Sequence, residues 1–211
     1  MNILLTGGSG GIGVVIKQKL EALGHIVATP TREELDLENP EAIRTYMSRL
    51  RDTMRPDWLV CSQGFIDQEM VIEQMTEENI ERTFRVNILS IIYLAQQGLP
   101  LLPKGGGIVS LSSSAGINAN GRFAPYSASK AAVNTFMQAL ARNRPDQRFF
   151  AIAPGPTNTG MRNKVAGDAA NQQPPEVVAD LVVQLMSGEG EYASGDVMLA
   201  KGGEISVVSK I

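Results

Sequence analysis

"TGGSGGIG", residues 6–13, decides how this chain is read. It follows a short apolar run, Asn2–Leu5, and opens the segment "IGVVIKQKLEALG". In that segment Ile12, Val15, Ile16, Leu20 and Leu23 recur at the spacing of one helix face. Gly24 is a natural helix stop, and "HIVAT" reads as a second strand. Strand, glycine-rich turn, helix and strand within so few residues make a βαβ unit. In that context the glycines let the backbone approach a pyrophosphate, and the helix start supplies free N–H groups and the positive end of its dipole. The spacing TGxxxGxG places Gly7, Gly11 and Gly13 at such a cradle; elsewhere the same run would be only a flexible turn.

The alternation continues down the chain. Pro40–Met54 reads as a helix capped by Asn39, with Pro at its first position. "WLVCSQG" is a buried strand, and Glu77–Leu99 one long helix capped by Thr76. "GIVSLSS" is a strand, Ser127–Arg142 a helix, "FFAIAPG" a strand, Pro175–Met186 a helix and "VMLA" a last strand. Strands alternating with helices imply a parallel sheet covered on both faces. The expectation is a three-layer, doubly wound, Rossmann-like α/β fold filling residues 1–211 as a single domain. Residues 160–175 follow a strand's C-terminal end and form the expected substrate loop.

Bulk properties exclude several classes. The net charge of −3, with both signs interspersed, offers no basic footprint for nucleic acid. A single cysteine, Cys61, permits no internal disulfide and fits a cytoplasmic setting. The first strand is expected to begin almost at Met1, so no signal peptide is expected, and no apolar run approaches membrane-spanning length. No metal-ligand cluster is expected.

Tyr126 and Lys130, in "APYSASKAAVNTF" (124–136), share a helix face. An ammonium near a phenol favours the phenolate, and a tyrosine so tuned exchanges a proton with a carbonyl or alcohol oxygen. Alone, the pair reads more readily as a surface tyrosine beside a solvated lysine, since such pairs are common by chance. Upstream, "SLSSSAG" ends a strand on the ligand side; a hydroxyl there suits a substrate oxygen, or simply marks a turn.

Together, TGxxxGxG, a strand-end serine and YxxxK resemble the short-chain dehydrogenase/reductase family, in its single-domain branch, over nearly the whole chain. The resemblance selects Ser113, thirteen residues before Tyr126, over Ser112 and Ser114. "FRVNILS" resembles the segment carrying the family's helix-borne asparagine, here Asn87. "APGPTNTGM" resembles the PGxxxT segment along the nicotinamide, with Pro154, Gly155, Thr157 and Thr159. Asp36 resembles the aspartate near the adenine ring, with Leu37 beside it. The implied activity is hydride transfer between a nicotinamide cofactor and a carbonyl or alcohol. Tyr126 would be the general acid/base, and Lys130 would lower its pKa and bind the nicotinamide ribose. Ser113 would hold the substrate oxygen, and Asn87 would anchor a relay water. The implied cofactor contacts also include Ser9, Ile12 and Gly64. The family also implies a homodimer or homotetramer through the helices at Glu77–Leu99 and Ser127–Arg142.

Two departures stand out. Where relatives read N-N-A-G, this chain reads Cys61-Ser62-Gln63-Gly64, which puts the expected adenosine contact of Gln63 in question. Few residues separate the second strand from Asp36, so a helix and strand usual there are expected to be trimmed away. The acid that favours NAD is missing near Thr31, and Arg32 follows. An arginine there suits the 2′-phosphate of NADP, which is favoured over NAD; the bland reading pairs Arg32 with Glu33 and Glu34 in solvent.

His25, Cys61 and Trp58 read as structural, and "PEVVADLVVQLM" as a core helix. Arg122, Phe123, Met161 and Arg162 are candidates for a substrate pocket, though unremarkable loop residues by default. The principal alternative is a catalytically silent NADP-binding regulator of the same fold. An epimerase or dehydratase of the longer branch would need a different glycine spacing and an added C-terminal domain.

Overall fold

The computed structural model describes residues 1–66, 71–160 and 172–210. The glycine-rich turn joins β1 (Asn2–Thr6) to α1 (Gly11–Ala22), and β2 (Ile26–Ala28) follows. Next come α2 (Pro40–Thr53), β3 (Trp58–Cys61), α3 (Glu77–Phe84) and α4 (Ser90–Gly98). The second half runs through β4 (Gly107–Leu111), α5 (Ala124–Asn143), β5 (Arg148–Pro154), α6 (Glu176–Ser187), β6 (Val197–Lys201) and β7 (Glu204–Ser209).

The strands form one seven-stranded sheet in the order β2-β1-β3-β4-β5-β6-β7. All pairings are parallel except β6 with β7, which is antiparallel. The expected doubly wound sheet is therefore present, with one addition. β7 returns from the Gly202–Gly203 turn and covers the last parallel strand. The shortening after β2 is also present: residues 29–39 hold neither helix nor strand, and α2 starts directly.

Strand alternation distributes the core. In β1, Leu4 faces one side and joins a cluster with Ile43 and Met47 of α2, Ile91 of α4 and Val133 and Met137 of α5. Ile3 and Leu5 face the other side, with Ile16 and Leu20 of α1 and Val178, Leu181 and Leu185 of α6. Trp58 and Cys61 are buried in β3, as their apolar strand predicts. Leu23, placed on the core face by periodicity, is instead 56% exposed, because α1 ends at Ala22 and the chain turns at Gly24.

Helix starts follow local chemistry. Asn39 Oδ1 accepts from the N–H groups of Glu41 and Ala42, and Thr76 Oγ1 accepts from that of Asn79. The expected long helix 77–99 is not continuous: residues Arg85–Leu89 form a π turn between α3 and α4. There the Ser90 N–H donates to the Arg85 carbonyl five residues back. Among the described residues, no helix is long and apolar enough to cross a membrane, and no group of His, Cys, Asp or Glu could hold a metal ion.

Candidate active site

The C-terminal ends of the parallel strands surround a cavity of about 680 Å³. Its first wall is the glycine-rich turn. Gly7 has φ of 72°, and a Cβ there would lie 2.5 Å from the backbone nitrogen of Gln63. A Cβ on Gly13 would lie 2.1 Å from the Gly7 carbonyl oxygen. The turn thus folds tightly on itself and against the exit of β3. Gly10 caps α1 without any side-chain hydrogen bond, so the helix start keeps free N–H groups. Ser9, Gly11 and Ile12 face the cavity, with Gln63 and Gly64 beside them. This cradle fits the diphosphate of a dinucleotide in both its closeness and its donors.

The opposite wall carries Ser113, Tyr126 and Lys130. Adjacent serines at the end of β4 divide the work. Ser112 is buried and its Oγ donates to the Lys130 carbonyl at 2.9 Å, which fixes α5 against the strand. Ser113, extended at φ −161°, lines the cavity, and its hydroxyl is close enough to the Tyr126 phenol to favour the phenolate. Its Oγ also accepts from the Ala115 N–H at 3.1 Å.

Lys130 is buried, and its Nζ donates to the Leu111 carbonyl at 2.8 Å. Burial lowers its pKa to about 8, while the neighbouring Cys61 pulls in the other direction. The ammonium lies 5.9 Å from the centre of the Tyr126 ring. Burial raises the Tyr126 phenol above its usual range, and the neighbouring Ser113 hydroxyl draws it partly back. The phenol's downward influence here is therefore Ser113, not the lysine. The Cys61 thiol is pushed up to about 12 by burial, consistent with an inert core position.

Asn87 lies fully buried in the π turn, just behind this wall. Its Oδ1 accepts from the Phe65 N–H at 2.7 Å, and its Nδ2 donates to the Phe65 carbonyl at 2.8 Å and to Ser129 Oγ at 3.0 Å. Ser129 in turn donates to the Tyr126 carbonyl at 2.7 Å. The side chain is thus a clamp between the loop after β3 and the helix bearing Tyr126.

The third wall follows β5. Pro154, Gly155, Thr157 and Thr159 all reach the cavity, and a Cβ on Gly11 would meet the Thr159 side chain at 2.7 Å. Thr157 Oγ1 is turned inward, donating to the Gly155 carbonyl at 3.0 Å. Gln173 anchors the far end of the expected substrate loop, donating to the Ala200 carbonyl at 2.9 Å. The loop's residues 161–171, with Met161 and Arg162, lie outside the described residues.

Five expected cofactor residues are not on the cavity wall: Gly7, which packs against the Gln63 backbone, and four residues further along the chain. Thr31, Arg32, Asp36 and Leu37 lie in the loop after β2. Thr31 and Glu34 cap one another, with the Thr31 N–H donating to Glu34 Oε2 at 2.8 Å. Asp36 Oδ1 accepts from the Glu38 N–H, and Leu37 packs against the core. Arg32 pairs with neither Glu33 nor Glu34 but with Glu38, at 2.7 Å, and Glu38 also pairs with Arg82 at 3.2 Å. Arg82 lies over the Phe65 ring, 4.4 Å from its centre.

Gln63 lines the cavity, yet its amide points inward. Oε1 accepts from Thr6 Oγ1 at 2.6 Å, and Nε2 donates to Ser90 Oγ at 3.0 Å. The departure from N-N-A-G thus places a buried bridge between β1 and α4. Ile66, Leu199 and Lys201 also line the cavity, as does Phe123. No motif singled out the first three, although "VMLAKGG" at a strand end offered a positional clue for Lys201.

A family model described as enoyl-(acyl carrier protein) reductase matches residues 13–204. A 3-oxoacyl-(acyl-carrier-protein) reductase, MabA, of Mycobacterium tuberculosis is 28% identical, covering 96% of this chain and 92% of that relative. The crystal structure of a short chain dehydrogenase from Burkholderia cenocepacia, in complex with NADP, matches with a TM-score of 0.84 and 26% identity, covering 95% of this chain and 96% of that one. The fold is also similar to that of the aldohexose dehydrogenase of Thermoplasma acidophilum, with a TM-score of 0.87 at 21% identity over 96% of this chain and 92% of that one.

Proposed function

Because the chain belongs to the short-chain dehydrogenase/reductase family and is an oxidoreductase of that family, we propose that it reduces a carbonyl substrate, or oxidises the corresponding alcohol, with NADP(H) preferred over NAD(H). The observation that carries this reading is that Ser113, Tyr126 and Lys130 line the same cavity as the glycine cradle.

The nicotinamide supplies or accepts the hydride when bound. The turn from Gly7 to Gly13, Ser9 and Ile12 included, would hold its diphosphate, and the segment Pro154–Thr159 would border its nicotinamide end. Lys130 would hold the nicotinamide ribose. Ser113 holds the substrate oxygen beside the Tyr126 phenol. Tyr126 gives its proton to that oxygen in the reducing direction and recovers it in the other. A phenol held protonated by burial is suited to donation at neutral pH. A lysine ammonium drawn to the ribose and closer to the phenol would stabilise the phenolate left after transfer. Asn87 fixes the helix that presents both groups, and a water behind Lys130 would return the proton from solvent.

NADP preference rests on the NADP bound by the Burkholderia relative, on the missing acid near Thr31 and on the Arg32 that follows it. The test is a panel of aldehydes, ketones and 3-oxoacyl thioesters, assayed with each reduced cofactor by loss of nicotinamide absorbance. Turnover of no carbonyl with either cofactor would sink the reading.

A further inference from the structure

Lys201 stands apart from the machinery described above. It ends β6, and its stem borders Gly155 so closely that a Cβ there would lie 2.9 Å from Lys201 Cγ. It lines the cavity while remaining exposed to solvent. Among the described residues it makes no ion pair, unlike Lys17, Lys19 and Lys104.

The charge of the cavity gives this lysine its meaning. Among the described residues that line it there is no Asp or Glu, and the only charged side chains are Lys130 and Lys201. Lys130 is committed to the Leu111 carbonyl and the Tyr126 helix. The glycine cradle offers its own N–H groups to a diphosphate and lies at the end of β1. In the order β1-β3-β4-β5-β6, Lys201 stands four strand spacings from β1, roughly 19 Å. It stands two spacings from β4, roughly 10 Å, where Ser113 holds the reacting oxygen. A diphosphate on the cradle is out of its reach, whereas the far end of a substrate seated at Ser113 is not.

We propose that Lys201 is a specificity-determining residue that binds an anionic group, a carboxylate or phosphate, carried by the carbonyl substrate several bonds from the reacting carbon. This rests on the carbonyl oxidoreductase reading above. The ammonium is solvated, so the attraction is modest, and the low-charge surroundings contribute mainly discrimination against neutral analogues.

The test uses the full chain. NADP+ and NAD+ are first titrated alone; failure of both to bind overturns the oxidoreductase reading and this inference with it. The protein saturated with the better cofactor, in its oxidised and therefore unreactive form, is then titrated calorimetrically with 7-oxooctanoate and with its methyl ester. The acid is expected to bind about fivefold more tightly than the ester, and Lys201→Gln to abolish that difference while leaving ester and cofactor affinities unchanged. Equal binding of acid and ester, absence of acid binding, or a preference that survives Lys201→Gln overturns the proposal. A loss of cofactor affinity in Lys201→Gln also overturns it, because the lysine would then serve the dinucleotide.

Discussion

Asn87 Nδ2 donates to Ser129 Oγ at 3.0 Å, and Ser129 Oγ donates onward to the Tyr126 carbonyl. This two-bond chain connects a π turn to the first turn of the helix that carries the phenol. The Asn87 side chain spends its remaining bonds on both backbone groups of Phe65. Position, rather than direct contact with the cavity, is what this asparagine side chain supplies.

Asn87→Ala removes three hydrogen bonds, one buried and two part-buried, each contributing about 1 kcal/mol. For a chain of this length that lowers Tm by about 6–12 °C. Thermal melting followed by circular dichroism measures it, and a shift below about 2 °C would contradict the clamp.

Tyr126→Phe keeps the ring and deletes the proton. The rate of carbonyl reduction is expected to fall by a factor of about 10² to 10⁴, with cofactor affinity changed less than about threefold. Steady-state kinetics paired with a fluorescence titration separates the two; retained turnover would mean that another group supplies the proton.

Lys130 gives a pH signature with a definite sign. Its folded pKa, about 8, lies below the ordinary lysine value of 10.5, so between these pH values the unfolded chain binds more protons than the folded one. The lysine's contribution to stability therefore rises as pH climbs from about 8 to about 10.5. Tyr126, raised above 10.0, acts oppositely: its contribution falls once pH passes that value. The Tm of the wild type minus that of Lys130→Met is expected to grow between pH 7.5 and pH 9.5. A flat or shrinking difference would show that the lysine is not held in a charge-averse site.

Gly7→Ala adds a Cβ in a left-handed conformation and against the Gln63 backbone. The conformational part alone costs about 1–2 kcal/mol. Loss of cofactor affinity by more than about tenfold is expected, with a lowered Tm, because the diphosphate cradle must open to relieve the contact. Undiminished cofactor binding would separate the turn from the dinucleotide.

Arg32→Ala tests the adenosine end. NADPH is expected to weaken by about fivefold to tenfold with NADH nearly unchanged, the loss of one charge-assisted contact. Glu38→Gln is expected to move the ratio the other way, since Glu38 holds the Arg32 guanidinium at 2.7 Å. Equal effects on both cofactors would assign Arg32 to the loop alone.

The sequence made the sheet legible because short continuous apolar runs alternate with helical segments and glycine stops, and because Ser113 and Tyr126 sit in strand-end and helix-start contexts. It concealed contacts set by tertiary placement. Arg32 and Glu38 are six residues apart in an irregular loop, where no periodicity brings them together. The inward turn of Gln63 depends on Thr6 and Ser90, far away in the chain. The π turn inserts one residue per turn into a continuous apolar pattern, and a helical template absorbs that without visible conflict. β7 was legible in principle: "EISVVS" alternates after a Gly-Gly turn, but it lies beyond the last βα repeat.

The trimmed loop after β2 has a consequence at the sheet's margin. A strand at an edge presents unpaired backbone groups to which another chain can add. Here one edge is β2, only three residues long, and its exposed Ile26 follows directly on the turn from α1. The other edge is β7, antiparallel, irregular in register near Val197, starting with Glu204 and followed by Lys210. Too short on one side and too irregular and charged on the other, the sheet resists growth by strand addition, so the chain is guarded against fibrous self-association at both ends.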